Sequence, residues 1–150
     1  DHIVSDIATS QNGRITFWKI AMRPGKPLIF GSIGATPILG LPGNPVSAGV
    51  CGLIFVKPAL HAMLGIYDQP ELMSAPLATS LPKNDRRQDY LRGSWIQLDD
   101  GSRAVMPAPR QDSSMLGIFT HSEVLIIRPP HAPAVAEGSL TDILPIPDGI

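Results

Sequence analysis

Three cations, Lys19, Arg23 and Lys26, lie close together in the stretch Lys19-Ile20-Ala21-Met22-Arg23-Pro24-Gly25-Lys26-Pro27. Two prolines and a glycine keep this stretch out of regular structure and fix the shape of a basic loop. Crowded like charges repel unless an anion or neighbouring carboxylates share the site. The loop is therefore either an anion-binding element or a solvated basic surface.

A second candidate follows at Leu41-Pro42-Gly43-Asn44-Pro45-Val46-Ser47, which ends a strand and opens a helix. Asn44 suits the N-cap and Pro45 the first helical position. Free backbone N–H groups and the positive end of the helix dipole favour an anion such as phosphate there. Taken alone, Pro42, Gly43, Asn44, Pro45 and Ser47 also make an ordinary helix cap.

The second half supplies Arg86, Arg87 and Arg92. Arg92 shares a predicted strand with Tyr90 and Trp95, which makes it the more ordered candidate; the alternative is an edge-strand arginine that discourages aggregation. Ser113 and Ser114 can donate to an oxyanion at the start of a short helix, or simply cap it. Asp1 is a terminal acid by default, and a partner for a hard cation such as magnesium if it lies near the basic loop. His2, His61, His121 and His131 lack metal-ligand spacing, so no zinc site is assigned. Cys51 lies in an apolar helix and reads as a buried structural thiol.

The elements that must position these groups follow from composition and pattern. The 150 residues carry 12 basic and 13 acidic side chains, a net charge of −1 that argues against a general nucleic-acid binder. Hydrophobic residues make up 43% and charged residues 17%, a globular balance, and no apolar run is expected to reach the roughly eighteen residues of a membrane span. Sixteen prolines and fourteen glycines suit short strands and tight turns rather than a helical bundle. A single cysteine forbids an internal disulfide and points to the reducing cytoplasm. The first residue is Asp1 rather than methionine, as expected for part of a longer chain.

Residues 1–9 are expected to form one or two helical turns, followed by a strand from Ile15 to Ile20. Leu28–Phe30 and Pro37–Leu41 read as short strands around a turn from Gly31 to Ala35. A long helix is expected over Val46–Leu64, with Ala48, Gly49 and Gly52 allowing close contact and Pro58 kinking or restarting it. Beyond it, strands are predicted over Leu72–Thr79, Asp89–Leu98, Arg103–Pro109, Val124–Arg128 and Leu140–Ile146, with a hairpin turn at Asp99-Asp100-Gly101 and a short helix over Ser113–Phe119. The fold class is α/β. Residues 1–68 are expected to belong to an α/β domain and residues 69–150 to form a small β-barrel or sandwich.

Together these segments resemble the molybdopterin molybdenumtransferases, which include bacterial enzymes of molybdenum-cofactor synthesis and the C-terminal domain of gephyrin. The resemblance is carried by Phe17-Trp18-Lys19-Ile20-Ala21-Met22-Arg23-Pro24-Gly25-Lys26-Pro27-Leu28, by Phe30-Gly31, and by Gly40-Leu41-Pro42-Gly43-Asn44-Pro45-Val46-Ser47-Ala48, in order and spacing. Asp89-Tyr90-Leu91-Arg92-Gly93, Gln111-Asp112-Ser113-Ser114 and Ala136-Glu137-Gly138 extend it more loosely.

The resemblance implies insertion of molybdate into the dithiolene of adenylated molybdopterin, with release of AMP and the help of Mg2+, by a cytoplasmic homodimer. It implies a molybdopterin-binding α/β domain followed by a C-terminal β-barrel. By matched position, Lys19, Arg23 and Lys26 bind molybdate or pterin phosphates, and Pro42 and Pro45 shape the pocket. Arg92 and Ser113 face the same cleft from the barrel, and Asp1 is a magnesium partner. Arg23 stands where the family has lysine and Asp112 where it has glycine. The family's glycine-rich phosphate loop and N-terminal domains would precede Asp1, so these residues alone are expected to be inactive. The alternative is a non-catalytic binding or scaffolding module on the same fold.

Overall fold

β-branched and aromatic residues dominate Gly13-Arg14-Ile15-Thr16-Phe17-Trp18, and in the computed structural model this segment is β1 (Gly13–Trp18). The structure describes residues 6–7, 9–10, 12–67, 71–109, 111 and 121–147. Asp6, Ile7 and Thr9 are helical, while the rest of the expected first helix and the expected helix over Ser113–Phe119 lie outside the described residues.

A two-residue strand, β2 (Met22–Arg23), precedes the hairpin of β3 (Ile29–Ile33) and β4 (Thr36–Gly40). Strands β1, β3 and β4 form a three-stranded antiparallel sheet with a bulge between Ile15 and Phe17. The hairpin turn is narrower than the expected Gly31 to Ala35: Gly34 takes a left-handed φ of 57°, and Gly31 is a strand residue. Gly31 is required there by proximity, because a Cβ would sit 2.3 Å from the Arg14 carbonyl oxygen across the ladder.

Helix α1 (Pro45–Cys51) begins as expected, with Asn44 extended at φ −76°, ψ 127° and its Oδ1 accepting the Ser47 N–H at 3.1 Å. The helix widens to π geometry over Gly52–Val56 and returns to α geometry in α2 (Lys57–Met63). Pro58 lacks an N–H to give to Ile54, which explains a re-registered turn just before it rather than a break. Pro45–Met63 thus runs for 19 residues, long and apolar enough to cross a membrane by length and composition. This corrects the expectation that no such segment exists: Lys57 and His61 are too few to interrupt it. Its first half packs Val46, Val50 and Leu53 against Leu125 and Leu144, while Lys57–Met63 has no buried residue.

The remaining strands are β5 (Met73–Pro76), β6 (Gln88–Gln97), β7 (Arg103–Pro107), β8 (Val124–Arg128) and β9 (Leu140–Pro145). They form a six-stranded sheet in the order β2-β6-β8-β9-β5, with β7 also on β6. Strand β6 organises this sheet. One edge pairs with β8 from Asp89 to Gly93; the other pairs first with β2, in parallel, and later with β7 from Gly93 to Gln97. The β2 pairing departs from the expectation of an irregular loop, because Met22 and Arg23 precede the prolines and keep their backbone donors free.

Alternation along β6 gives it two buried faces. Leu91 and Trp95 join Ala75, Leu77, Val105, Val124, Ile126 and Ile143 in one core, while Tyr90 faces the α1 side with Leu125 and Ile127. Just past β5, Leu77 bridges Val105 of β7, and the Ala78 N–H donates to the Val105 carbonyl at 2.9 Å. The sheet therefore curls around the first core. Apart from this single bridge, the described ladders do not run full circle. The architecture is mixed α/β and mostly strand.

Candidate functional site

The basic loop is tied to itself by backbone hydrogen bonds: Lys19 N–H to Leu28 O at 3.1 Å, Ile20 N–H to Lys26 O at 2.9 Å, and Leu28 N–H to Gly25 O at 3.0 Å. Gly25 has a φ of 121°, and a Cβ there would lie 2.3 Å from Met22 Cε and 2.8 Å from Cys51 Sγ. Only glycine lets the loop press onto the helix in this way. Cys51 is fully buried, and desolvation pushes its thiol up to about 11, so it stays protonated and inert.

Arg23 is engaged by carboxylates rather than left free. Its Nε donates to Asp89 Oδ1 at 2.9 Å, a second guanidinium nitrogen donates to Asp89 Oδ2, and Asp85 lies 3.6 Å away. Asp89 is only 3% exposed and stands opposite Arg23 in the parallel β2–β6 pairing. The hydrogen bond to Asp89 raises the guanidinium pKa above its usual value. Arg23 therefore fastens the basic loop to β6 while still lining the cavity beside it.

That cavity measures 360 Å³, and Arg23, Lys26, Ser47, Arg87, Arg92 and Gln111 contribute to its walls. It gathers groups from the basic loop, the start of α1 and the middle of β6. Arg92, at 1% exposure, is among the largest fully buried side chains of the described residues. Opposite Leu125, it sits on the β6 face turned toward α1, not at a solvent edge. Four lining side chains are cationic and none is a carboxylate, so the cavity suits a compact oxyanion.

The other expected site residues divide. Pro42, Gly43, Asn44 and Pro45 do not line this cavity; they build the turn and cap that present Ser47, whose residue is buried. Lys19 lines a second cavity, of 750 Å³, and its Nζ lies 4.0 Å above the Trp18 ring in a cation–π contact. Asp1, Asp112 and Ser113 lie outside the described residues.

Reading the sequence missed Asp85 and the individual parts of Asp89 and Gln111. Arg87 holds Asp85 at 2.9 Å, and this hydrogen bond with the Arg87 backbone N–H lowers the Asp85 carboxyl to about 2. Gln111 Oε1 accepts the Arg92 N–H at 2.9 Å, and its Nε2 donates to the Arg92 carbonyl at 2.9 Å. An acid among arginines was a signal for Asp85; no local spacing announces a glutamine that serves a strand nineteen positions away.

Two family models match the chain. One, described as "Probable molybdopterin binding domain", matches residues 3–62; the other, the MoeA C-terminal region (domain IV), matches residues 74–146. The molybdopterin molybdenumtransferase of Haemophilus influenzae is 33% identical over 135 residues, covering 89% of this chain and 33% of that protein. That of Synechococcus elongatus is 32% identical over 129 residues, covering 85% of this chain and 30% of that protein. Among solved structures, a molybdopterin biosynthesis MoeA protein from Pyrococcus horikoshii superposes with a TM-score of 0.74 at 25% identity, covering 95% of this chain and 34% of that one. The chain spans about a third of the length of the curated relatives it matches.

Proposed function

The chain belongs to the molybdopterin molybdenumtransferase family, whose C-terminal portion it matches, and on that footing we propose that it supplies the oxyanion-binding part of an enzyme that inserts molybdate into adenylated molybdopterin and releases AMP. Its likeness to proteins named molybdopterin molybdenumtransferase supports a role in molybdenum-cofactor biosynthesis. The observation that carries the reading is the 360 Å³ cavity, where Lys26, Arg87 and the buried Arg92 meet Ser47 at the start of α1.

Molybdate is a compact dianion, and a cavity lined by several cations raises its local concentration and orients its oxygens. The Arg92 guanidinium offers planar, paired donors, Lys26 a mobile point charge, and Ser47 a hydroxyl. Arg23 contributes mainly by holding the loop against β6 through Asp89. Donors fixed in place before the oxyanion arrives need no reorganisation as charge moves toward the departing phosphate.

The remainder of the proposal follows the resemblance. Residues 1–68 belong to the molybdopterin-binding domain and residues 69–150 to a β-barrel; the Leu77–Val105 bridge supports the barrel by joining β5 toward β7. Lys19, Pro42, Gly43, Asn44, Pro45 and Ser113 complete the pocket in a cytoplasmic homodimer. Mg2+ belongs to the proposal through Asp1 alone. Among the described residues, no group of three or more His, Cys, Asp or Glu could hold a metal ion.

The test is molybdate-dependent AMP release by the full-length protein, with Lys26→Ala and Arg92→Lys beside it. Loss of one oxyanion contact should lower the rate about a hundredfold. A folded protein that binds adenylated molybdopterin yet releases no AMP with molybdate would overturn the assignment.

A further inference from the structure

The larger cavity adjoins the oxyanion cavity and shares Lys26 and Arg87 with it. Its walls carry Lys19, Lys26, Lys83, Arg86, Arg87 and His131, and Asp85 is the one carboxylate among them. Arg87 takes up Asp85 at 2.9 Å, whereas Lys26, Lys83 and Arg86 form no ion pair among the described residues. Five lysine and arginine side chains thus surround 750 Å³ with one acid to offset them. Such crowding is unfavourable until an anion enters.

The walls are braced before any ligand arrives. Asn84, buried beneath them, donates its side-chain amide to the carbonyls of Arg87 and Pro129 at 2.8 Å and of Arg128 at 3.1 Å, and its Oδ1 accepts the Asp85 N–H. The His131 N–H donates to the Asp85 carbonyl at 2.7 Å, and the Gln88 N–H to the Ala21 carbonyl at 3.0 Å. Three loops are therefore stitched into one rim. Lys19 at φ 66° and His131 at φ 59° are the only non-glycine positive-φ residues among those described, and both line this cavity. Backbone held in that region is strained and tends to mark ligand clamps.

We propose that this cavity is a second anion site, distinct from the oxyanion cavity, which binds the diphosphate portion of a small phosphate-bearing molecule. Several cations facing one acid suit a multivalent anion, and 750 Å³ exceeds what a single oxyanion fills. Lys26 and Arg87 on the shared wall place a ligand here beside an oxyanion next door. The site stands on its own geometry; the proposed reaction bears only on which phosphate compound fills it.

Calorimetric titration of the full-length protein with inorganic pyrophosphate, at about 0.15 M salt, tests the site. Lys83 and Arg86 are exposed, so a Lys83→Ala/Arg86→Ala variant keeps its fold, checked by circular dichroism. Its pyrophosphate affinity should fall about tenfold or more, with molybdate affinity within about twofold of the original. The charge reversal Lys83→Glu/Arg86→Glu should abolish pyrophosphate binding. Equal affinity in the original and both variants, or no binding by the original protein, would refute the site.

A tenfold rise in KM for adenylated molybdopterin at unchanged kcat assigns the site to the substrate's own phosphate arm. Unchanged KM with lost pyrophosphate affinity assigns it to a free phosphate ligand. Pyrophosphate binding without molybdate-dependent AMP release would sink the proposed reaction and leave the site standing.

Discussion

The side-chain amide of Gln111 pairs with both backbone groups of Arg92, as a neighbouring strand would: Oε1 accepts the N–H and Nε2 donates to the carbonyl, each at 2.9 Å. It fills the gap on the β6 edge between the β2 pairing, which ends at Asp89, and the β7 pairing, which begins at Gly93. The same amide nitrogen also donates to the Ala108 carbonyl at 3.1 Å. One side chain thus fixes the backbone under the buried arginine.

Replacing Gln111 with Ala removes these bonds and leaves the Arg92 N–H without its acceptor. The expected loss is about 1–2 kcal/mol of stability. Urea denaturation of the full-length protein measures it. Faster hydrogen exchange at the Arg92 amide, with distant β6 amides unchanged, would separate this local role from general damage. An unchanged exchange rate would count against it.

Arg23→Ala leaves the Asp89 carboxylate buried without its main partner. With Arg23 itself about half exposed, the expected destabilisation is about 1–3 kcal/mol, below that of a wholly buried pair. Arg23→Ala/Asp89→Asn should recover much of the loss, since no unpaired charge then remains. A double-mutant cycle on denaturation midpoints reads the coupling. Additive effects would mean that the pair does not hold the loop.

Much of the architecture was legible because it is written locally. Strand β8 covers the predicted Val124–Arg128, β6 and β7 meet across the predicted turn at Gly101, and Asn44 caps α1 through Ser47. What escaped depends on distant partners. Nothing near Met22–Arg23 reveals a parallel pairing with Gln88–Asp89, whereas the long helix expected over Val46–Leu64 forms from Pro45 to Met63 with a π turn just before Pro58. Of the expected site residues, the 360 Å³ cavity brings together Arg23, Lys26, Ser47 and Arg92, whereas Lys19 opens onto the larger cavity. Charge spacing could suggest a basic cluster but not which cation is already occupied by a carboxylate.

Asp85 gives stability a defined pH dependence. Its folded pKa, about 2, lies below the ordinary carboxylate value because of the Arg87 hydrogen bonds. A depressed folded pKa contributes stability above the unfolded value and loses it as pH falls through the folded one. The stability difference between the original protein and Asp85→Asn should therefore be constant from neutrality down to about pH 4 and shrink between about pH 4 and pH 2. Denaturation curves across that range check it. A gap that persists at pH 2 would contradict the assignment to this carboxyl.

Gly25 of the basic loop lies against Cys51 of the helix. A Cβ on Gly25 would meet Cys51 Sγ at 2.8 Å and Met22 Cε at 2.3 Å, and the φ of 121° disfavours any side chain. Gly25→Ala should cost about 1–3 kcal/mol and lift the loop from α1. Loosening would expose the Cys51 thiol, which burial now holds up at about 11. Alkylation by iodoacetamide at pH 8 is therefore expected to be slow in the original protein and at least about tenfold faster in Gly25→Ala. Trimming the neighbour, as in Gly25→Ala/Cys51→Ala, relieves only one of the two clashes and leaves the backbone strain. It should recover part of the lost stability and not all of it. Full recovery would mean that crowding against sulfur, rather than the left-handed backbone, is what demands glycine at this position.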